Sequence, residues 1–234
     1  MVSFTAPILM MVVLAPIVSA LALAPLVRAP WPWLRVALAV GVHLAALGGA
    51  VQLTREILLR GGYSANPIAW PGARAEAVDA LGLVPLVLTP VTAPLLIAVL
   101  LAATLTALLL APQAVRARST ALHTGLLLAT GAVVLVVVAR RADAIAAAFS
   151  LSGLCGFAML AAALPKRDEG IGAVRAFVLH RVGDVILFAA VLAIGGAAGG
   201  FDADRLLEAA SASPLARATA GPLPRPRGIS RVTP

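Results

Sequence analysis

The run VPLVLTPVTAPLLIAVLLAATLTALLLA, residues 84–111, holds 28 consecutive side chains without a charge. The hydrocarbon core of a bilayer is about 30 Å thick, and a helix crosses it with about 20 apolar residues. This run is therefore long enough for a transmembrane helix. Apolar runs of similar character occupy residues 6–27, 36–53, 122–139, 144–164 and 177–198. The pattern predicts an all-α, polytopic membrane helix bundle with about six transmembrane helices.

The composition favours a membrane protein and excludes several other classes. Hydrophobic residues make up 61% of the 234-residue chain and charged residues 12%, whereas soluble domains have about 45–50% and about 25%. The net charge of +8 comes from basic residues that separate apolar runs, without a basic stripe and interleaved aromatics, so no nucleic-acid partner is expected. Cys155 is the single cysteine, which excludes an internal disulfide and a multi-cysteine metal site. No phosphate-binding loop or metal-ligand spacing is present, and no cofactor is expected.

The distribution of Lys and Arg predicts an N-terminus on the outer side of the membrane. The first, third and fifth connections between predicted spans carry eight basic residues, against five in the second and fourth. Cytoplasmic loops carry the excess of basic residues in membrane proteins. The eight are Arg28, Arg35, Arg116, Arg118, Lys166, Arg167, Arg175 and Arg181, and the five are Arg55, Arg60, Arg74, Arg140 and Arg141.

Three parts are expected along the chain. Residues 1–200 form the helix bundle, and its first span is retained because it lacks the basic start and cleavage site of a signal peptide. Three prolines in the first third of the third span predict a kink or a tilt; they are Pro85, Pro90 and Pro94. Residues 201–210 suit a short amphipathic surface helix. Residues 211–234, rich in Pro and Arg, are expected to form a disordered tail.

Ionisable residues in the last span are the first candidates for function. The uncharged stretch 185–198 has 14 residues, about 21 Å of helix, which is too short to cross the bilayer. His180, Arg181 and Asp184 must therefore enter the membrane, and their spacing places them on one helix face. Two interpretations remain open. In the first, Arg181 anchors the helix at the headgroups and Asp184 balances its charge; in the second, the group is a proton relay or gate.

Other polar residues in the spans are weaker candidates. His43 in the second span is a lone imidazole, either a packing residue with a hydrogen-bond partner or a member of a relay. Ser150, Ser152 and Cys155 in the fifth span have no base beside them, so we interpret them as small residues for helix packing. The proton-pathway candidates are thus Asp184, Arg181, His180 and His43.

Two blocks of sequence around these candidates are similar to a known family. Ser152–Phe157 reads SGLCGF, and Ala173–Asp184 reads AVRAFVLHRVGD. They resemble the fifth and sixth helices of the antiporter-like subunit L family of respiratory complex I, the NADH:quinone oxidoreductase. Val78–Leu83, which reads VDALGL, is similar to the family's entry to its third helix.

The resemblance implies a proton-translocating subunit of a bacterial inner membrane, without a redox centre and in contact with lipid and other membrane subunits. Asp184 matches the family's acidic position in helix six, with Arg181 and Gly183 matching its neighbours. Asp184 would be a carboxylate of the polar axis, Arg181 its electrostatic partner, and His180 a proton acceptor at the cytoplasmic mouth. The same helices occur in cation/proton antiporters and in ion-coupled hydrogenase or carbon-uptake complexes. A non-transporting scaffold that binds a partner helix is a further alternative.

The chain also departs from the family at positions that matter for pumping. The family has a Trp-Glu pair before Gly-Leu-Cys in helix five, where this chain has Phe149 and Ser150. A serine hydroxyl cannot hold a transported proton at neutral pH. The family's seventh helix with its lysine, and its second repeat, have no counterpart before the Pro/Arg tail. We therefore expect a truncated or divergent member that does not pump alone.

Overall fold

A computed structural model describes residues 5–23, 32–59, 86–117, 121–163 and 167–212. Seven α-helices account for most of these residues: α1 Thr5–Leu23, α2 Pro32–Leu59, α3 Thr92–Ala117, α4 Ala121–Val138, α5 Ala142–Ala163, α6 Arg167–Ala198 and α7 Ala203–Ala212. Within these ranges the only β pairing consists of two isolated bridges. The all-α class predicted from the sequence is confirmed.

Six of the seven described helices are apolar and suited to a membrane. Four have the length and composition of membrane spans: Trp33–Leu59, Thr92–Pro112, Ala142–Met159 and Val174–Ala198. Two shorter apolar helices, Ile8–Leu23 and Leu122–Val138, complete the set. The protein is an integral membrane helix bundle, and its six apolar helices correspond to the six predicted spans. Several predicted features lie outside the described residues. They are the segment 78–83, Pro85, the end of the first span after Leu23, the tail from residue 213 onward, and the basic residues Arg28, Arg60, Arg74, Arg118 and Lys166.

The third span begins later than the sequence predicts, at Thr92 rather than near residue 84. The Thr89 hydroxyl accepts a hydrogen bond from the Thr92 amide (3.1 Å), and the Thr92 hydroxyl accepts one from the Thr89 amide (2.9 Å). These reciprocal bonds cap the start of α3. Pro90 and Pro94 therefore mark this helix start, where backbone amides have no helical partner, instead of kinking a longer helix.

The last span is longer than predicted. α6 runs without a break over Arg167–Ala198, so the basic segment before residue 177 is helical as well. The helix ends at Gly199, whose φ of 71° is readily adopted only by glycine. The next helix, α7, is shifted by two residues from the surface helix predicted at residues 201–210.

The core of the bundle lies between α1, α2, α3 and α4, each of which packs on at least two of the others. Its largest cluster of buried apolar side chains includes Leu9, Val12, Leu53, Leu96, Leu100 and Val134. Gly131 lets α4 approach α1, because a Cβ at this position would overlap the Ile17 side chain. α5 packs on α4, α6 on α5, and α7 on α6, so α6 and α7 lie at the edge of the bundle.

Backbone hydrogen bonds join the corner between α4 and α5 to the corner between α6 and α7. The Ala142 amide donates to the Phe201 carbonyl (2.9 Å), and the Ala203 amide donates to the Arg140 carbonyl (3.0 Å). Gly195 makes room for the Phe201 ring, which a Cβ would overlap. These contacts hold the start of α5 beside the end of α6. The two helices are therefore antiparallel neighbours.

Candidate functional site

The three ionisable residues of α6, His180, Arg181 and Asp184, form one group of polar side chains on the side of the helix that contacts α5. Arg181 Nη2 lies 2.8 Å from Asp184 Oδ2, and His180 Nε2 lies 3.8 Å from Asp184 Oδ1. Residues three or four apart meet because both spacings correspond to about one helical turn. Asp184 is 5% exposed, whereas His180 is exposed and Arg181 is half-buried. The carboxylate is thus the buried centre of the group.

The opposite wall of this site is formed by α5. Arg181 Nη2 donates a hydrogen bond to the Ser150 carbonyl (2.9 Å). A Cβ at Gly153 would overlap the His180 ring and would lie 2.9 Å from Arg181 Nη2. Phe149 adds an aromatic contact with His180, at 5.9 Å between ring centroids. The missing side chain at Gly153 is what allows the polar group of α6 to approach α5.

A pair of stacked aromatic rings holds the Arg181 guanidinium. Phe177, one turn before Arg181, stacks on Phe157 of α5 at 4.2 Å between centroids. The guanidinium carbon lies 5.2 Å from the centroid of the Phe177 ring, within the range of a cation–π interaction. Arg181 thus has three partners: the Asp184 carboxylate, the Ser150 carbonyl and the Phe177 ring. Together they fix a positive charge beside the buried carboxylate.

Several buried polar atoms at this site have no hydrogen-bond partner among the described residues. They are Ser150 Oγ, Arg181 Nε and both carboxylate oxygens of Asp184. The 2.8 Å contact between Arg181 and Asp184 is an ion pair whose angles are not those of a hydrogen bond. Buried polar atoms almost always have a partner, and ordered water fills that role where protein atoms do not. The site therefore has unmet hydrogen-bonding capacity, which an ordered water molecule would satisfy and which a proton on Asp184 would reduce.

The outer face of α6 is apolar and exposed. Val178, Leu179, Val182, Val185 and Ile186 are each at least 53% exposed. Within the described chain, α6 packs mainly on α5 and α7. Inside a membrane such a face contacts lipid or a neighbouring helix. The polar group therefore lies one helix away from the surface of the bundle.

His43 lies in a different interface, between α2 and α4. It is fully buried, its Nδ1 donates to the Ala39 carbonyl (2.8 Å), and its Nε2 lies 3.1 Å from the Thr130 hydroxyl. It does not belong to the group around Asp184. A second buried histidine, His123 of α4, is 2% exposed. It is missing from the candidates chosen by sequence, although an ionisable residue in an apolar span is the signal that selects His43.

The remaining polar residues of α5 take part in packing. The Ser152 hydroxyl donates to the Phe149 carbonyl of its own helix (2.7 Å), and Cys155 is a buried free thiol. Across the described ranges, no group of three or more His, Cys, Asp or Glu side chains is arranged to hold a metal ion.

Fold and site together define the class: a polytopic α-helical membrane protein with a buried carboxylate–arginine pair near its edge. No protein-family model matches the chain, and no curated protein sequence matches it. The kinship suggested by the sequences of α5 and α6 is therefore a proposal.

Proposed function

We propose that this chain is a membrane subunit related to the proton-translocating antiporter-like subunit L of NADH:quinone oxidoreductase, and that these helices do not pump by themselves. Asp184 carries the proposal: it is a 5% exposed carboxylate inside a span, paired with Arg181 at 2.8 Å. Ionisable residues within membrane spans are costly, and they commonly mark ion or proton pathways. The resemblance of the α5 and α6 sequences supports the same class.

In the proposed mechanism, His180 and Asp184 exchange a proton. Nε2 of His180 lies 3.8 Å from Asp184 Oδ1, a gap that one water molecule or a small rotation bridges. Protonation makes the imidazole of His180 a cation, and transfer of this proton neutralises the carboxylate and returns the imidazole to its neutral form. Arg181 then still has the Ser150 carbonyl and the Phe177 ring as partners. The guanidinium is not left unpaired when Asp184 takes up the proton.

The pathway lacks a second carboxylate along α5. Where the family has a glutamate, Ser150 offers a hydroxyl that does not ionise near neutral pH. The single acidic residue of α5 is Asp143 at the helix start, which is paired with Arg141 at 2.7 Å. A proton on Asp184 therefore has no acidic group on α5 beside Ser150 to move to. For this reason we assign the chain to a complex in which other subunits complete the route.

Proton translocation by the assembled complex tests the role of Asp184. The complex that contains the full chain is purified in mild detergent and reconstituted into vesicles, and a pH-sensitive dye follows the gradient formed during quinone reduction. We expect Asp184→Asn to leave the complex assembled and to lower translocation several-fold. Asp143→Asn is the matched control, because it makes the same chemical change at a carboxylate whose side chain is 34% exposed. Unchanged translocation in Asp184→Asn would leave only the anchor role.

Proteins that co-purify with the chain separate the assemblies that share these helices. Co-purification of NADH dehydrogenase subunits would support a complex I relative. Co-purification of antiporter, hydrogenase or carbon-uptake subunits would assign the chain to one of those complexes instead. The exposed apolar face of α6 favours one further candidate, a non-transporting scaffold that binds a partner helix. In that case Asp184→Asn lowers the yield of complex without changing the proton flux of each assembled complex.

A further inference from the structure

A second polar cluster lies between α2 and α4, apart from the α5–α6 site. His43 Nε2 lies 3.1 Å from the Thr130 hydroxyl, and His123 is buried on the same helix as Thr130. The other ionisable residues of α1–α4 lie in sequence near helix ends: Arg35, which is 5% exposed, near the start of α2, Arg55 and Glu56 near its end, and Arg116 near the end of α3. In the described interior of these four helices, the two histidines are the side chains that can exist in both a neutral and a protonated form.

The hydrogen bonds of His43 suit both its neutral and its protonated form. Nδ1 donates to the Ala39 carbonyl, which can only accept, so a hydrogen is fixed on Nδ1. The Thr130 hydroxyl can donate to the Leu126 carbonyl (2.7 Å) or to His43 Nε2 (3.1 Å). It donates to Nε2 when His43 is neutral. When His43 is protonated, Nε2–H donates to the Thr130 oxygen and the hydroxyl donates to Leu126, so one hydroxyl rotation satisfies both states.

The positions of the two histidines along the helices show which membrane face the cluster approaches. Ala39 lies in one buried cluster with Leu127, and Ala46 lies in another with Val134, so α2 and α4 run in the same direction. His123 precedes Thr130 by seven residues, which is about 10 Å along the helix. The cluster therefore extends inward from the membrane face at which α2 and α4 begin, with His123 at its shallow end.

His123 has unmet hydrogen-bonding capacity. Neither ring nitrogen makes a hydrogen bond of ordinary geometry within the described residues, although the ring lies near the Ala107 carbonyl of α3. The hydroxyl of the adjacent Thr124 is also buried without a partner there. Burying such atoms in an apolar bundle is unfavourable unless water binds them. Water at His123 would connect this ring to the nearby membrane face.

We propose that His43 and His123 form a proton-binding site inside α1–α4, entered through His123 from the membrane face at which α2 and α4 begin. His123 takes a proton from water and passes it through water to the Thr130 hydroxyl, which gives its own hydrogen to His43 Nε2 as it receives one, so only N–H and O–H bonds form and break. Arg35 and Arg116 belong to the entry face, Asp143 to the opposite face, and α1 has no ionisable residue. The site uses no residue of α6 and is independent of the proposed function.

Nitrogen-15 labelling of histidine tests this site, because the chain has three histidines. The full chain is reconstituted in lipid bilayers and followed by solid-state NMR from about pH 8.5 to about pH 4.5, a range that brackets the ordinary titration of histidine. His123→Gln and His180→Gln assign the signals. We expect His43 to carry hydrogen on Nδ1 at high pH and to become an imidazolium on acidification. We also expect water magnetisation to reach His123 before His43.

A His43 ring that stays neutral over the whole range, or a His123 ring without water contact, overturns the proposal. Thr130→Val removes the acceptor that Nε2–H needs, so the His43 titration midpoint should fall by about one to two pH units. Thr130→Ser keeps the hydroxyl and should keep the midpoint. Equal midpoints in the Val and Ser variants contradict the role of Thr130. Asp184→Asn should leave this titration unchanged, so failure here is distinguishable from failure of the proposed function.

Discussion

Replacement of Arg181 by methionine tests whether Asp184 is a buried carboxylate that depends on one fixed cation. The substitution keeps a long apolar stem beside Phe177, and it removes the charge that lies 2.8 Å from Asp184. It also removes the hydrogen bond to the Ser150 carbonyl. His180, at 3.8 Å, is then the remaining neighbour in α6 that can carry a positive charge beside the carboxylate.

The expected loss of stability follows from the burial of the carboxylate. Removal of one partner from a buried ion pair costs about 3–5 kcal/mol, whereas an exposed pair contributes about 1 kcal/mol or less. The side chain of Asp184 is 6% exposed and that of Arg181 is 29% exposed, so Arg181 is the partner that can still reach a polar medium. We therefore expect a loss of about 3 kcal/mol for Arg181→Met and about 1 kcal/mol for Asp184→Asn. The double variant Arg181→Met with Asp184→Met should lie within about 1 kcal/mol of the parent.

Reversible unfolding of the full chain in lipid bicelles, driven by steric trapping, measures these free energies. Arg141→Met is the matched control, because the side chain of Arg141 is 28% exposed but that of its partner Asp143 is 34% exposed. We expect the control to lose about 1 kcal/mol or less. If Arg181→Met and Arg141→Met show the same small loss, Asp184 is not isolated from solvent, and a proton-holding role for it has no physical basis.

Gly153→Ala should lower stability by up to about 2 kcal/mol in the same assay. Overpacking costs about 1–3 kcal/mol, whereas the higher helix propensity of Ala relative to Gly stabilises the helix by about 1 kcal/mol. Gly156→Ala, whose Cβ would meet nothing within 4 Å, should be neutral or stabilising, and equal effects at both glycines would contradict the close approach. Thr89→Ala removes the cap of α3 and should lower the free energy of unfolding by about 1 kcal/mol. Hydrogen exchange in the first turn of that helix should become faster. Unchanged exchange would show that the cap is unimportant. With the N-terminus outside, a fluorescent protein fused after Ala163 should be bright in the cytoplasm and alkaline phosphatase fused after Ala139 should be active outside. The opposite pattern rejects this orientation.

Helix class and the grouping of the α6 candidates could be predicted because they depend on neighbours along the chain. His180, Arg181 and Asp184 lie within five positions, so the helical repeat alone brings their side chains together. Hydropathy predicts too early a start for α3, because the apolar run continues through Pro90 whereas the capping bonds between Thr89 and Thr92 begin the helix. Hydropathy reports which residues avoid water and does not report where backbone hydrogen bonds begin.

Contacts between helices could not be predicted from the sequence. The sequence predicts a packing role for Ser150 at a position where the family has an acid, and in the structure its backbone carbonyl accepts a hydrogen bond from Arg181. Gly153 belonged to a family-like motif, and its physical role is to let His180 approach α5. Neither role depends on the identity of adjacent residues, because each depends on which face of α6 meets α5.

Hydropathy, charge and spacing are properties of the linear chain, and they were enough to establish an integral membrane bundle of apolar helices and to select Asp184. The pairing of helix faces depends on how side chains of many distant residues fill space together. His43 illustrates the difference: in the sequence it is a lone imidazole, and in the folded chain it meets Thr130, 87 positions away. Packing of α2 against α4 gives that imidazole its hydrogen-bond partner, and packing of α6 against α5 gives Arg181 the Ser150 carbonyl.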